Sequence, residues 1–200
     1  MHHQLLSGAV AAFAVAGAVN GTTIIDTTGS WGGARTAVWD HVGQEFEVPA
    51  TDNVLGTFEI GVGGAAGIYT FSIFEWDSVS ARTVGGALFA TGSLAIPDAS
   101  VEFVTFVVDA VLVPGELYAA VVSFDGNPDG GVGRGVAFMS GDHYMNGDAV
   151  FTELPVDEPW ESGSPTGFDL GFRAVFTPAP GALALLGLAA LMGTRRRRLS

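Results

Sequence analysis

From Thr22 onward the chain is written with a period of two. Phe168, Leu170, Phe172, Ala174 and Phe176 put an apolar residue at every second position, and an extended strand with one buried face turns that period into a continuous apolar stripe. The same pattern predicts strands over Thr22–Thr28, Gln44–Val48, Thr57–Val62, Ile68–Trp76, Ala87–Ile96, Val101–Val108 and Leu117–Phe124. Within them Phe46 shares a face with Val48, and Phe58 with Ile60 and Val62. Gly63–Gly67 reads as a turn, the chain holds 29 glycines, and no stretch has a helical period. Short strands at short intervals imply an all-β fold, a single antiparallel β-sandwich over residues 22–176. A jelly-roll-like connection, with the first strand near the last, is the expected arrangement. No internal repeat and no long linker divides this body.

One local signature supports the sandwich. In Leu112-Val-Pro-Gly-Glu-Leu-Tyr118 the Pro114-Gly115 pair makes a tight turn and Tyr118 opens the next strand. This resembles a tyrosine corner, in which the phenol hydrogen-bonds back to the preceding turn. A ligand contact is the alternative role for Tyr118.

Charge is sharply segregated. All 21 acids lie between Asp26 and Asp169, whereas the whole body over residues 22–176 carries only four arginines, Arg35, Arg82, Arg134 and Arg173, and no lysine. Four arginines against 21 acids give the body a balance of −17. Such a surface repels nucleic acid and anionic lipid or polysaccharide, and favours cations. The absence of cysteine excludes disulfides, thiolate nucleophiles and cysteine-ligated zinc.

The two ends have different chemistry. Leu5–Val19 is an apolar run of small residues ending in Ala16-Gly17-Ala18, an A-x-A cleavage pattern. It reads as a signal peptide over residues 1–21, cut near Ala18 to Gly21, although only the amino terminus, His2 and His3 supply positive charge before it. At the other end, Thr177–Ser200 joins a proline pair (Pro178, Pro180) to an uncharged run (Gly181–Gly193) and four arginines, Arg195, Arg196, Arg197 and Arg198. A helix from Thr177 to Thr194 would measure about 27 Å at ~1.5 Å per residue, close to the ~30 Å of hydrocarbon in a bilayer. A cation costs roughly 2.5–3.5 kcal/mol at the bilayer centre, so the arginines stop the chain on the cytoplasmic side and leave the acidic body outside. The prolines place the helix start at or after Pro180.

The order of these three parts resembles the PEP-CTERM sorting signal of Gram-negative bacteria, in which a Pro-Glu-Pro motif precedes a hydrophobic helix and an arginine cluster. Here the motif reads Pro178-Ala179-Pro180, with alanine at the central position. The resemblance covers Thr177–Ser200 alone. It implies transient tethering in the inner membrane and processing by an exosortase near Pro178, Ala179, Pro180 and Gly181. It also implies a destination in the cell envelope or extracellular polysaccharide matrix, with structural or adhesive work there. A plain C-terminal anchor is the alternative.

Enzyme signals are poor. His41 and His143 sit in no metal-ligand pattern, and no G-x-S-x-G elbow is present. Two carboxylates could serve a glycoside hydrolase, and Glu45/Glu47 and Glu75/Asp77 share strand faces at i, i+2, but in an acidic sheet pairs at that spacing are ordinarily solvated. The expectation is a non-enzyme with no obligatory cofactor. Asp125-Gly-Asn-Pro-Asp-Gly130 offers the best ligand candidate, because oxygens of Asp125, Asn127 and Asp129 match the opening of a calcium loop. Val136 at the twelfth position rules out an EF-hand, and the same residues also make an ordinary turn. Trp31 and Trp160 lie in Gly/Ser/Pro-rich stretches, where exposed indoles could stack on sugar rings. A glycan-binding module is therefore the competing function; Trp39 and Trp76 are expected in the core or at a sheet edge.

Overall fold

A computed structural model describes residues 21–34, 39–97, 99–162 and 167–179. The expected signal peptide, Pro180, Gly181, the apolar run and Arg195–Arg198 lie outside these residues. No helix among the described residues is long and apolar enough to cross a membrane.

The described chain is all-β apart from one 3-10 turn at Thr28–Ser30. Its first seven strands are β1 (Thr23–Asp26), β2 (His41–Glu47), β3 (Val54–Gly64), β4 (Ile68–Asp77), β5 (Arg82–Ala90), β6 (Leu94–Ala95) and β7 (Glu102–Val111). There follow β8 (Leu117–Ser123), β9 (Arg134–Val136), β10 (Phe138–Ser140), β11 (Ala149–Thr152), β12 (Glu161–Ser162), β13 (Phe168–Leu170) and β14 (Phe172–Thr177). One sheet runs β1-β14-β3-β7, with β9 also on β3; a second runs β12-β11-β2-β8-β4-β5, with β6 on β4. A two-stranded ribbon of β10 and β13 completes the set. The pairings are antiparallel, and the first strand lies beside the last, with Thr23 opposite Phe176.

Inner faces of the two sheets meet in one aromatic core, which makes this a sandwich. Phe46 on β2 packs against Phe58 on β3 at 5.6 Å between ring centroids and against Phe176 on β14 at 6.1 Å. Phe58 stacks on Phe172 at 5.5 Å, and Phe71 on β4 stacks on Phe106 of β7 at 4.1 Å. These rings, with Leu55, Ile60 and Ile73, are buried. Phe46, Phe58, Ile60, Phe172 and Phe176 among them lie on faces that the period-two pattern marked as apolar.

Two details organise the ends and edges of the sandwich. Asp169, 1% exposed, accepts the backbone N–H groups of His143 (2.6 Å) and Tyr144 (2.7 Å) and the side-chain amide of Gln44 (3.0 Å). Gln44 in turn accepts the Leu170 N–H at 2.8 Å. On the outermost strand of the first sheet, the register slips between Leu55 and Thr57, so that Val108 and Asp109 stand opposite Gly56. Asp109 takes a left-handed φ of 49° in this bulge.

Candidate functional site

The register divides the sandwich into two poles. Thr177 pairs with Val54, Val54 with Val111, and the Leu112–Glu116 turn follows, so these segments share the pole from which the tail departs. His41 pairs with Ser123 and Ser123 with Thr70, at the opposite end of the second sheet. The Asp125–Gly130 loop, which directly follows β8, therefore lies at the pole distal to the tail.

That loop is held by protein groups. The Asn127 side chain donates to the carbonyls of Phe124 and Ile68, both at 2.7 Å, and accepts the Ile68 N–H at 2.9 Å. Its oxygen thus extends the backbone pairing of Ile68. Asp129 Oδ1 receives Arg134 Nη1 at 2.8 Å. The same nitrogen donates to Gly130 O (2.9 Å) and Val132 O (3.3 Å), while Nη2 donates to Ala66 O at 2.8 Å. The Arg134 hydrogen bond holds the Asp129 carboxyl below its ordinary range. Asp40 caps the far side by accepting the Gly131 N–H at 3.0 Å. A Cβ on Gly67 would collide with the guanidinium and with Asn127, so this closure needs glycine there. Of the three oxygens proposed for calcium, Asn127's is turned to Ile68 and Asp129's to Arg134, while Asp125 is exposed. Among the described residues no group of three or more His, Cys, Asp or Glu side chains converges for a metal.

The two loop tryptophans part company. Trp160 is 4% exposed, donates its indole N–H to Val156 O at 3.0 Å and meets Trp76 edge-on at 5.8 Å. The expectation that it offers an exposed platform is therefore corrected: its ring closes a second apolar cluster with Phe74, Trp76, Ala119, Val121 and Val150 on the outer face of the second sheet. Trp31 is half-buried. Its N–H donates to Ala34 O at 2.6 Å and its ring stands edge-on to Phe103 at 5.5 Å. Because Phe103 lies at the distal end of β7, opposite Gly61, Trp31 belongs to the pole away from the tail. Trp39 packs on Phe151 at 5.7 Å, and Trp76 is buried.

Two polar groupings escaped the sequence reading. His41 Nδ1 is hydrogen-bonded to the Ser123 hydroxyl across β2 and β8. Burial holds its imidazole below the ordinary value against the opposing fields of Asp125 and Asp40. Such a pairing can activate a nucleophile, but His41 is only 4% exposed and Trp160 lies 6.1 Å away, ring to ring. It therefore packs as a satisfied core pair. Glu45 Oε2 receives the Asp148 N–H at 3.4 Å, and burial raises the carboxyls of both Glu45 and Asp148. Glu45 is thus paired with Asp148 rather than with Glu47. Asp77 caps its own turn by accepting the N–H groups of Val79 (2.9 Å) and Ser80 (3.3 Å).

At the tail pole, the Tyr118 hydroxyl accepts the Val113 N–H at 3.0 Å, and Gly115 sits in the turn with a φ of 78°. This is the hydrogen bond of a tyrosine corner. Pro178 and Ala179 leave β14 directly, both half-buried.

No family model matches the chain, and no curated protein matches it. A solved structure of the cysteine protease and lectin-like domains of a surface layer associated protein of Clostridium difficile superposes with a TM-score of 0.47 at 10% identity. The match covers 70% of this chain and 32% of that one.

Proposed function

We propose that this chain is an exported cell-envelope or extracellular-matrix protein whose sandwich does structural or adhesive work without catalysis. Its N-terminal segment directs export. The tail lodges in the inner membrane, and an exosortase releases or transfers the body near Pro178 to Gly181. The observation that carries the reading is the pairing of Thr23 with Phe176. Both expected processing points, at Ala18–Gly21 and Pro178–Gly181, lie only a few residues from one pole, so both can be reached in a folded body while the distal loops face outward. The acidic balance of the body suits a domain kept off anionic lipid.

Mass spectrometry of the mature protein from its native host tests this. The expected product begins after Ala18–Gly21 and ends near Pro178–Gly181. An extracellular product that retains Arg195–Arg198 would overturn it.

A second reading, glycan binding, is favoured by the placement of Trp31, a half-buried residue, at the distal pole. Trp31→Ala should then lower retention on host exopolysaccharide in a chain that still unfolds in one cooperative transition, at a midpoint lowered only by the loss of its Phe103 contact. Unaltered retention removes this reading.

A further inference from the structure

We propose that the tail-proximal part of the first sheet's outer face is a bilayer-contacting surface that seats the body on zwitterionic headgroups. The proposal rests on the anchoring role of the tail. Antiparallel register lays the outward side chains in rows across β1, β14, β3 and β7. One row reads Ile24, Val175, Thr57, Val107, and the row nearest the tail reads Thr177, Val54, Val111. Ile24 is 48% exposed, Val107 66%, Val111 67% and, just beyond the strand, Val113 55%. Isolated exposed valines are ordinary, but here they share adjoining rows at one end of one face.

The next row away from the tail reads Asp26, Arg173, Glu59, Thr105, with Arg173 and Asp26 paired at 3.7 Å. Apolar side chains therefore give way to ionic ones within two residues, roughly 7 Å along the strands. That boundary has the form of a waterline. Asp109, exposed in the bulge between Val107 and Val111, and Glu116, exposed in the turn after Val113, set carboxylates within this corner and limit its seating to the headgroup layer.

The length of chain beyond β14 fixes the occupant. Only Pro178, Ala179 and Pro180 separate Thr177 from the apolar run that starts at Gly181. Three extended residues reach about 10 Å. With the run in lipid, the Thr177 row must lie within that distance of the headgroups, and the body can satisfy its exposed valines by tilting this corner into the interface. A zwitterionic surface is the fitting partner, because the body's excess of acids opposes anionic lipid.

The absence of cysteine gives a clean test, since any introduced thiol is unique. Full-length chains carrying Val111→Cys, Val113→Cys or Val132→Cys are labelled with an environment-sensitive fluorophore. They are then reconstituted into phosphatidylcholine vesicles that contain a quencher at headgroup depth. Val132, 56% exposed, serves as the distal control. The expected result is a blue shift and loss of emission at positions 111 and 113, neither at 132, and a smaller loss in phosphatidylglycerol vesicles. Chains that float with the vesicles yet respond equally at all three positions overturn the surface while leaving the anchor intact. Floating chains that show no quenching but form 111–111 disulfides between copies assign the face to self-association and likewise overturn it. Chains that fail to float defeat the anchoring role and this surface with it.

Discussion

Asp169→Asn probes how the sandwich closes, because the change removes a charge without removing volume. The carboxylate has three donors around it: two backbone N–H groups at 2.6 and 2.7 Å and the Gln44 amide at 3.0 Å. An asparagine can orient its oxygen toward the backbone pair, but its NH2 then faces the NH2 of Gln44. Gln44 cannot turn round, since its own oxygen is fixed by the Leu170 N–H at 2.8 Å. The variant therefore loses a charge-assisted bond of about 1.5–3 kcal/mol and leaves a buried donor unmet at about 1–3 kcal/mol. Desolvation offsets part of this, because burial already raises the Asp169 carboxyl and a neutral amide is easier to bury. The expected net loss is about 2 kcal/mol for Asp169→Asn. For Asp169→Ala, which strands both backbone N–H groups, it is about 4 kcal/mol. Urea unfolding followed by tryptophan fluorescence measures both, with an unchanged m-value as the check that the unfolded state is the same. If Asp169→Ala costs less than about 1 kcal/mol, the carboxylate is not what ties residues 143 and 144 to the sheet, and the reasoning fails.

Three further outcomes are expected. Tyr118→Phe strands the Val113 N–H and should lower stability by about 1–2 kcal/mol in the same urea assay, with no shift in the near-ultraviolet signal of the tryptophans. His41 is held below its ordinary value by burial, so the stability it contributes is complete above that value, near 6.5, and is lost as pH falls through the window down to its folded value. The raised carboxyls of Glu45, Asp148 and Asp169 act with the opposite sign at lower pH. Subtracting the His41→Gln profile from that of the parent between pH 7.5 and about 5 isolates the imidazole; identical profiles would contradict its burial. Millimolar calcium should leave the melting temperature unchanged, because Arg134 already neutralises Asp129. A rise that Asp129→Asn abolishes would show that the loop binds the ion.

The alternation of Phe172 to Phe176 was legible because one face of β14 is buried and the other is not; Phe168 and Leu170, read as part of the same strand, belong to β13 and pair with β10. The edges of β8 were legible for a different reason, because its apolar run stops at the turn residues Asp125-Gly126. Strands β9 to β12 were not legible. They are two to four residues long, too short to show a period, and Ala149–Thr152 is buried on both faces. Trp160 was misplaced because its flanks, Glu158, Pro159, Glu161 and Ser162, read as a polar loop, whereas its ring lies over an outer-face cluster. A signal for that cluster exists in the sequence: Leu117-Tyr-Ala-Ala-Val-Val122 is apolar without alternation, the mark of a strand covered on both sides. The His41–Ser123 and Gln44–Asp169 contacts join residues 82 and 125 positions apart. Such distant partners carry no local pattern, so only the strand register reveals them.

The slip in β7 bears on how many copies can stand side by side. A long, flat outermost strand offers its free backbone groups as a template on which another chain can grow. In this molecule Val108 and Asp109 crowd opposite a single glycine, and the positive φ at Asp109 breaks the ladder midway and sets a carboxylate beside the break. Neighbours pressed together in a dense coat would slide past one another instead of fusing into ribbons.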